Sequence, residues 1–299
     1  PDGGLIAHYE FDGHLADTAG GHHHGKTVRG EVTFGTGQVA KDAEFNGETD
    51  LVLGDAGDFD RDQPFSIAAW INQGGGLEHV GRTIIQKMDA TAAQTGYELS
   101  HDQAQNVGDM QRGSHWFVRL VSQWPDNAIY LKTKRRLKSP FNESGWRHLV
   151  VNYDGSGKAS GLHVYNNGKL EEMEVLKDNL TGSFRTSSPL EIGGSQTGNP
   201  FKGFIDDLRL YKRQISEQEI EQLDFHEPIR ALLSVPSKAC ADAGAAADDD
   251  DSGKDPLYLQ TLVDDKIYKA KNQCKAERAK LRDYYLTWAA PQKLKTQYA

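Results

Sequence analysis

The chain has 299 residues, of which 37% are hydrophobic and 31 are glycine, with a mean hydropathy of −0.65; this allows one large domain with an appendage, or two smaller domains. No apolar run approaches the 18 or so residues of a membrane-spanning helix, and the two cysteines, Cys240 and Cys274, form no Cys-x-x-Cys pair, which excludes a zinc ribbon, a thioredoxin-like centre and covalent haem attachment. The formal charge of −9 divides into +5 from Pro256 onward and −14 before it, so the larger part is a poor nucleic-acid binder and a plausible cation binder.

No charged-then-apolar leader precedes Pro1-Asp2-Gly3-Gly4, which reads as a mature form, an excised domain or a piece of something longer. Leu5, Ala7, Tyr9 and Phe11 then share one face of a first strand, with Ile6, His8 and Glu10 on the other. Phe65, Ile67, Ala69 and Ile71 alternate in the same way, as do Trp116, Val118 and Leu120. Further strands are predicted over 83–87, 128–133, 146–153, 162–165 and 204–211, with a tight turn at Asn166-Asn167-Gly168. Trp70, Trp116 and Trp146 are assigned to core packing. Many short strands without interleaved helices predict an all-β jelly-roll sandwich. Ser216 and Glu219 have the spacing of a capping box, with Ile215 and Ile220 placed as a staple, so a short helix should follow the last strand and end before Pro228.

Composition then changes. Residues 229–255, rich in Ala and Asp, read as a linker between a domain over 1–228 and a helical segment over 256–299. In that segment Leu259, Leu262, Val263, Ile267 and Ala270 recur at helical spacing, and Tyr284, Tyr285 and Trp288 extend the stripe. Cys240 and Cys274 pair in an oxidising compartment or stay as thiols; the sequence leaves both open.

Three stretches carry a family resemblance. Gly4-Leu5-Ile6-Ala7-His8-Tyr9-Glu10-Phe11-Asp12-Gly13 with Asp17-Thr18-Ala19-Gly20 resembles the opening strand of laminin G-like, concanavalin A-like jelly rolls. Glu44-Phe45-Asn46-Gly47 and the strand from Phe65 to Ile71 resemble the next ones, and Gly203 to Tyr211 the closing strand. Gln123-Trp124-Pro125-Asp126-Asn127, Trp146-Arg147-His148 and Lys177-Asp178-Asn179-Leu180 are similar to the laminin G-like domain inserted in large planctomycete proteins that also carry a cytochrome c-like module. The haem motif of that module is absent, so electron transfer is not implied for this chain.

The resemblance implies a structural Ca²⁺ where the first and last strands meet, held by Asp12 and Asp206 with Asn46, Gly47 and Asp50 nearby; a hard cation of this kind takes six to eight oxygen ligands, backbone carbonyls included. The run Asp248–Asp251 fails as an EF-hand, because Leu259 occupies the position of the bidentate Glu. His22-His23-His24 reads as a surface turn, since neighbours along a strand point to opposite faces. For ligand binding, Trp124, Tyr130, Arg119, Tyr97, His115 and Asp126 suit stacking on sugar rings and hydrogen bonding to their hydroxyls from the exposed concave sheet and its rim. No Glu-x-Asp-x-x-Glu string, Gly-x-Ser-x-Gly elbow or phosphate loop occurs. The expected function is therefore that of a non-catalytic extracellular or cell-surface module, Ca²⁺-stabilised and directed at glycans. The alternative is an adhesive module that binds protein, with self-assembly through the C-terminal helix.

Overall fold

The computed structural model describes residues 2–72, 82–102, 113–138, 145–194 and 200–228. The chain forms two units, Pro1–Ile220 and Glu221–Ala299, and the second is described only as far as residue 228. The expected linker, the amphipathic segment, Cys240, Cys274 and Asp248–Asp251 lie outside the described residues.

The first unit holds two antiparallel sheets of eight strands. One runs, in spatial order, Lys169–Leu170, Leu162–Asn166, Trp146–Tyr153, Phe65–Asn72, Lys202–Tyr211, Lys41–Asn46 and Thr33–Thr36, and Leu5–Tyr9 also pairs with Lys202–Tyr211. The other runs Met173–Asp178, Asn127–Thr133, Trp116–Gln123, Gly96–His101, Arg82–Met88, Glu191–Ile192, Asp50–Val52 and Lys26–Arg29. Each alternating strand sends one phase inward. Ile67, Ile71, Val151 and Leu210 from the first sheet share a core with Leu99, Trp116, Val118 and Leu131 from the second. Burying each such side chain is worth roughly 1.5–3 kcal/mol, which is why period-two patterning fixes the sandwich.

Local signals hold where they were read. Asn167 and Gly168 take φ of 51° and 70°, the left-handed pair that a two-residue hairpin requires. Ser216 N–H donates to Glu219 Oε2 at 2.9 Å and Glu219 N–H to Ser216 Oγ at 3.3 Å, closing the capping box ahead of helix Glu217–Glu221. The chain's first and last strands pair, with Tyr9 opposite Leu208.

Two features depart from simple alternation. Of the three tryptophans assigned to core packing, Trp116 joins the central cluster, Trp70 is buried on the opposite face of its strand with its ring 5.0 Å from that of His148, and Trp146 is only half-buried, its ring 6.4 Å from that of Phe204. In the strand Lys202–Tyr211, Asp206 pairs with Trp70 and Arg209 with Ala68, so two residues, Asp207 and Leu208, oppose the single Ala69. Asp207 is the extra residue of this bulge, with φ of 49°. The bulge turns Leu208 into the core and leaves Asp206 and Arg209 on the opposite side.

Candidate functional site

Asp12 and Asp206 converge on one hairpin turn. Lys41 N–H donates to Asp12 Oδ1 at 2.8 Å, while Gln38 and Val39 N–H donate to Asp206 Oδ2 at 2.8 and 2.7 Å. Gly37 closes this turn, and a Cβ there would collide with both Asp206 Oδ2 and the Lys41 carbonyl oxygen. Asp206 is fully buried, and its second oxygen, Oδ1, has no hydrogen-bond partner among the described residues. Burial pushes its carboxyl well above the usual carboxylate range; the Val39 and Gln38 amides oppose this, while the charges of Asp207 and Asp12 add to it. A buried, unpaired carboxylate oxygen facing a second acid is a costly arrangement unless a proton or a cation satisfies it. Two carboxylates beside a backbone carbonyl are the donor chemistry of a hard cation. No group of three His, Cys, Asp or Glu side chains suited to a metal occurs among the described residues, so further ligands at this turn would be backbone oxygens or water.

Asn46, Gly47 and Asp50 are elsewhere. Asn46 pairs with Lys202, four residues before Asp206, or roughly 13 Å along the strand. Its Oδ1 accepts from Glu48 N–H and Thr49 Oγ, making a turn of which Gly47 is the positive-φ member. Asp50 is held bidentately by Arg29, at 2.6 and 2.9 Å. The expectation that these three join Asp12 and Asp206 is therefore corrected: the oxygens near those carboxylates come from the Gly37–Lys41 turn.

Asp207, beside Asp206, goes its own way. His8 Nε2 lies 2.6 Å from its Oδ1, and Arg209 Nε and Nη2 donate to the same oxygen at 3.2 and 3.1 Å. Despite the opposing effect of burial, these partners hold the Asp207 carboxyl below its ordinary value. The two adjacent carboxylates thus have separate partners: the backbone of the Gly37–Lys41 turn for Asp206, and the His8 and Arg209 side chains for Asp207.

The second cluster lies on the outer face of the second sheet. Strand pairing sets six residues in one cross-strand row: Lys177, Tyr130, Arg119, Glu98, Gln86 and Glu191. Arg119 Nη2 donates to Glu98 Oε2 at 2.6 Å and Nη1 to Gln94 Oε1 at 2.9 Å; Gln86 Nε2 donates to Glu191 Oε2 at 2.7 Å. Gln86 and Glu98 are buried at 1% and 7% exposure, whereas Tyr130 and Lys177 are half-buried. Beside the exposed end runs a series of rings. His115 lies 6.4 Å from Phe117, Phe117 is offset-stacked on Tyr130 at 5.7 Å, and Trp124 meets Tyr130 edge-on at 5.6 Å. Trp124 packs on Met88, Val121 and Ala128, and the Arg119 and Lys177 cations stand 5.4 and 5.5 Å from its centroid.

Of the six residues expected to bind ligand, four share this face: Trp124, Tyr130, Arg119 and His115. His115 Nδ1 sits 2.6 Å from the Thr133 carbonyl, which can only accept, so Nε2 is the acceptor nitrogen of the neutral ring. Asp126 is exposed in the turn after Trp124, and its carbonyl accepts from Asn179 Nδ2 at 2.7 Å. Tyr97 corrects the expectation: it is 3% exposed, packs in the core beside Phe59 and Phe65, and donates its hydroxyl to Gly57 O. The reading also missed Phe117 and Lys177. Phe117 occupies the outward phase of the strand whose inward phase is Trp116, Val118 and Leu120, so alternation pointed to it. Among the triple histidine, His24 Nδ1 accepts from Asp17 N–H, and the rings of His22 and His24 meet at 6.2 Å.

A two-sheet antiparallel sandwich whose end strands pair is shared by many proteins, and a family profile decides among them: residues 45–221 match that of the concanavalin A-like lectin/glucanases superfamily. The chain belongs to this superfamily. Among solved structures, this concanavalin A-like chain is similar to domain 4 of AbnA, an extracellular arabinanase from Geobacillus stearothermophilus, in complex with arabinotriose, at 21% identity and a TM-score of 0.51, covering 74% of this chain and 98% of that one. The binding domain of Paraclostridial mosquitocidal protein 1 matches at 16% identity and a TM-score of 0.56, and that of botulinum neurotoxin DC in complex with rat synaptotagmin II at 16% and 0.51. Each toxin match covers 75% of this chain, which spans about half of those domains (52% and 51%). At these identities the likeness establishes the fold. A search of curated proteins finds no match. Among the described residues, no helix is long and apolar enough to cross a membrane.

Proposed function

We propose that this chain is a non-catalytic, extracellular carbohydrate-binding module, with its ligand held on the outer face of the second sheet at the end marked by Phe117, Tyr130 and Trp124. The observation that carries the reading is the contiguous series of half-buried rings beside an ordered polar row. Sugars present C–H faces to rings and hydroxyls to fixed polar groups, and this face offers both within one strand spacing. The arabinotriose-bound arabinanase domain on the same fold supports the reading, as does the family's lectin membership. The row's carboxylates, Glu98 and Glu191, are engaged by Arg119 and Gln86, which favours binding over acid–base chemistry. A glycan array followed by calorimetry tests it: Phe117→Ala should abolish the binding of whichever glycan the parent retains. A parent that binds no glycan, or one that releases hydrolysed product, overturns the proposal.

The same reading includes Ca²⁺ as a structural ion at Asp12 and Asp206. It would neutralise the buried Asp206 oxygen and tie the turn after the first strand to the last strand, and its donors would be the two carboxylates with oxygens of the Gly37–Lys41 turn. A second reading, a protein-binding adhesive module, draws on exposed Val175 and Leu176 on the sheet's edge strand, at 54% and 39% exposure, and on the synaptotagmin-bound toxin domain. Analytical ultracentrifugation separates the two, because an adhesive self-association through that edge should disappear in Val175→Lys.

A further inference from the structure

Arg119 and Lys132, the cations nearest the rings besides Lys177, are each paired with a carboxylate. Arg119, 13% exposed at its side chain, is paired with Glu98, itself 8% exposed, and bonded to Gln94. Lys132 pairs with Glu174 at 3.1 Å. Asp102 accepts the His115 backbone N–H at 2.6 Å and Glu191 accepts from Gln86, neutral donors that anchor the carboxylates and leave their negative charge in place. Lys177 differs. It stands at the exposed end of the row, in register with Tyr130 on the last strand of the sheet, with its ammonium 5.5 Å from the Trp124 centroid and no ion-pair partner among the described residues. An indole face attracts an ammonium and holds it in place, but it leaves the unit charge uncancelled.

An uncancelled cation, fixed beside a row of rings, selects ligands by charge. A neutral sugar gives Lys177 only a hydroxyl to donate to, whereas a carboxylate or sulfate gives a charge-assisted bond about twice as strong. The surrounding protein works against accidental anion binding, since residues 1–255 carry −14. An anion is therefore welcome at Lys177 because of local contacts and is repelled elsewhere.

We infer that the ligand is an acidic glycan, a saccharide bearing a carboxylate or a sulfate ester, whose charge is read by Lys177 while Tyr130 and Phe117 take the adjacent ring. This rests on the outer face being the glycan site. Arg119 stands over Trp124 as a second cation and is a positioning residue, its Nη1 and Nη2 taken by Gln94 and Glu98 and its charge paired with Glu98.

The test uses two pairs of polymers that differ only in charge: polygalacturonate against its methyl ester, and dextran sulfate against dextran. Binding of the intact chain is measured by affinity electrophoresis and calorimetry at 20 and 200 mM salt. The expected result is preference for the acidic member of at least one pair, with the responding pair identifying carboxylate or sulfate. Lys177→Gln should weaken acidic binding about tenfold at low salt and flatten its salt dependence, Lys177→Arg should retain it, and Lys134→Gln, away from the rings, should match the parent. Unaltered melting of Lys177→Gln keeps the reading clear of misfolding. If Phe117→Ala abolishes glycan binding while Lys177→Gln binds acidic polymer like the parent, the face is right and the acidic ligand wrong. Equal binding of charged and neutral partners has the same meaning. A parent that binds no glycan removes both.

Discussion

The outer faces of the two sheets carry similar residue types and use them in opposite ways. On the first sheet, Asp206, Asp207, Arg209 and His148 are all 8% exposed or less, and His8, Asp207 and Arg209 satisfy one another. On the second, Lys177, Tyr130, Phe117 and Trp124 are half-buried, and their contacts leave polar atoms and ring surface free for something else. The difference teaches that charge alone does not mark a binding surface. A buried charge with its partners in place belongs to the framework, whereas a half-buried one without a counter-charge is left able to meet a ligand, as proposed for Lys177.

Four measurements press on that contrast. The largest stability loss should come from Asp207→Ala, which leaves Arg209 buried without its carboxylate; breaking such a pair costs about 3–5 kcal/mol, read by urea denaturation. A loss under about 1 kcal/mol would mean that the first face is not framework at all. Chelation comes next. For a micromolar site in millimolar calcium the bound ion contributes about 4 kcal/mol, so EDTA should lower the melting temperature by several degrees. Asp206→Ala should show no such response, whereas Asp50→Ala should respond like the parent because Asp50 serves Arg29.

The third measurement is of pH. Burial lowers the His148 pKa from 6.5 to about 3, with the Asp207 charge opposing and that of Arg209 assisting. The unfolded chain therefore binds a proton that the folded chain refuses. The stability His148 supplies is complete above pH 6.5 and is lost progressively as pH falls toward about 3. Asp206, shifted upward, contributes in the opposite sense, so the test compares the parent with His148→Phe, in which the Asp206 effect cancels. The variant should show a shallower decline between pH 6.5 and 4.5. The smallest stability effect belongs to the second face: Phe117→Ala should cost less than Trp116→Ala, for which roughly 3–5 kcal/mol is expected, while removing glycan binding. Equal losses would place Phe117 in the framework.

Much of this was legible in sequence, for identifiable reasons. Strand phase predicted the inward sets of Phe65–Asn72 and Trp116–Gln123, and the Ser216–Glu219 box predicted the helix start, because each is a local rule. Trp70 lies out of phase with the inward set Phe65, Ile67, Ala69 and Ile71, so its assignment to the core rested on its size and ran against its phase. Resemblance named Asp12 and Asp206 together, but not their hydrogen-bond partners, since Gln38, Val39 and Lys41 contribute backbone amides that any side chain could accompany. Asp50 looked available until Arg29, 21 residues away, claimed it. Tyr97 was misread because its own strand, Gly96–His101, had not been recognised, and without a strand it had no phase.

The cross-strand row also sets the size of what can be held. Its middle, Glu98 and Gln86, is closed off by burial, so the reachable part spans the three strands Met173–Asp178, Asn127–Thr133 and Trp116–Gln123. Two strand spacings are about 10 Å, room for about two sugar rings. On the proposed glycan site, a footprint that short would read a chain end or a single decorated unit, not the length of a polymer, and each contact would be accordingly weak. Tight attachment to a surface would then come from number: many copies, or many modules on one chain, each holding a short epitope while its neighbours keep it from diffusing away.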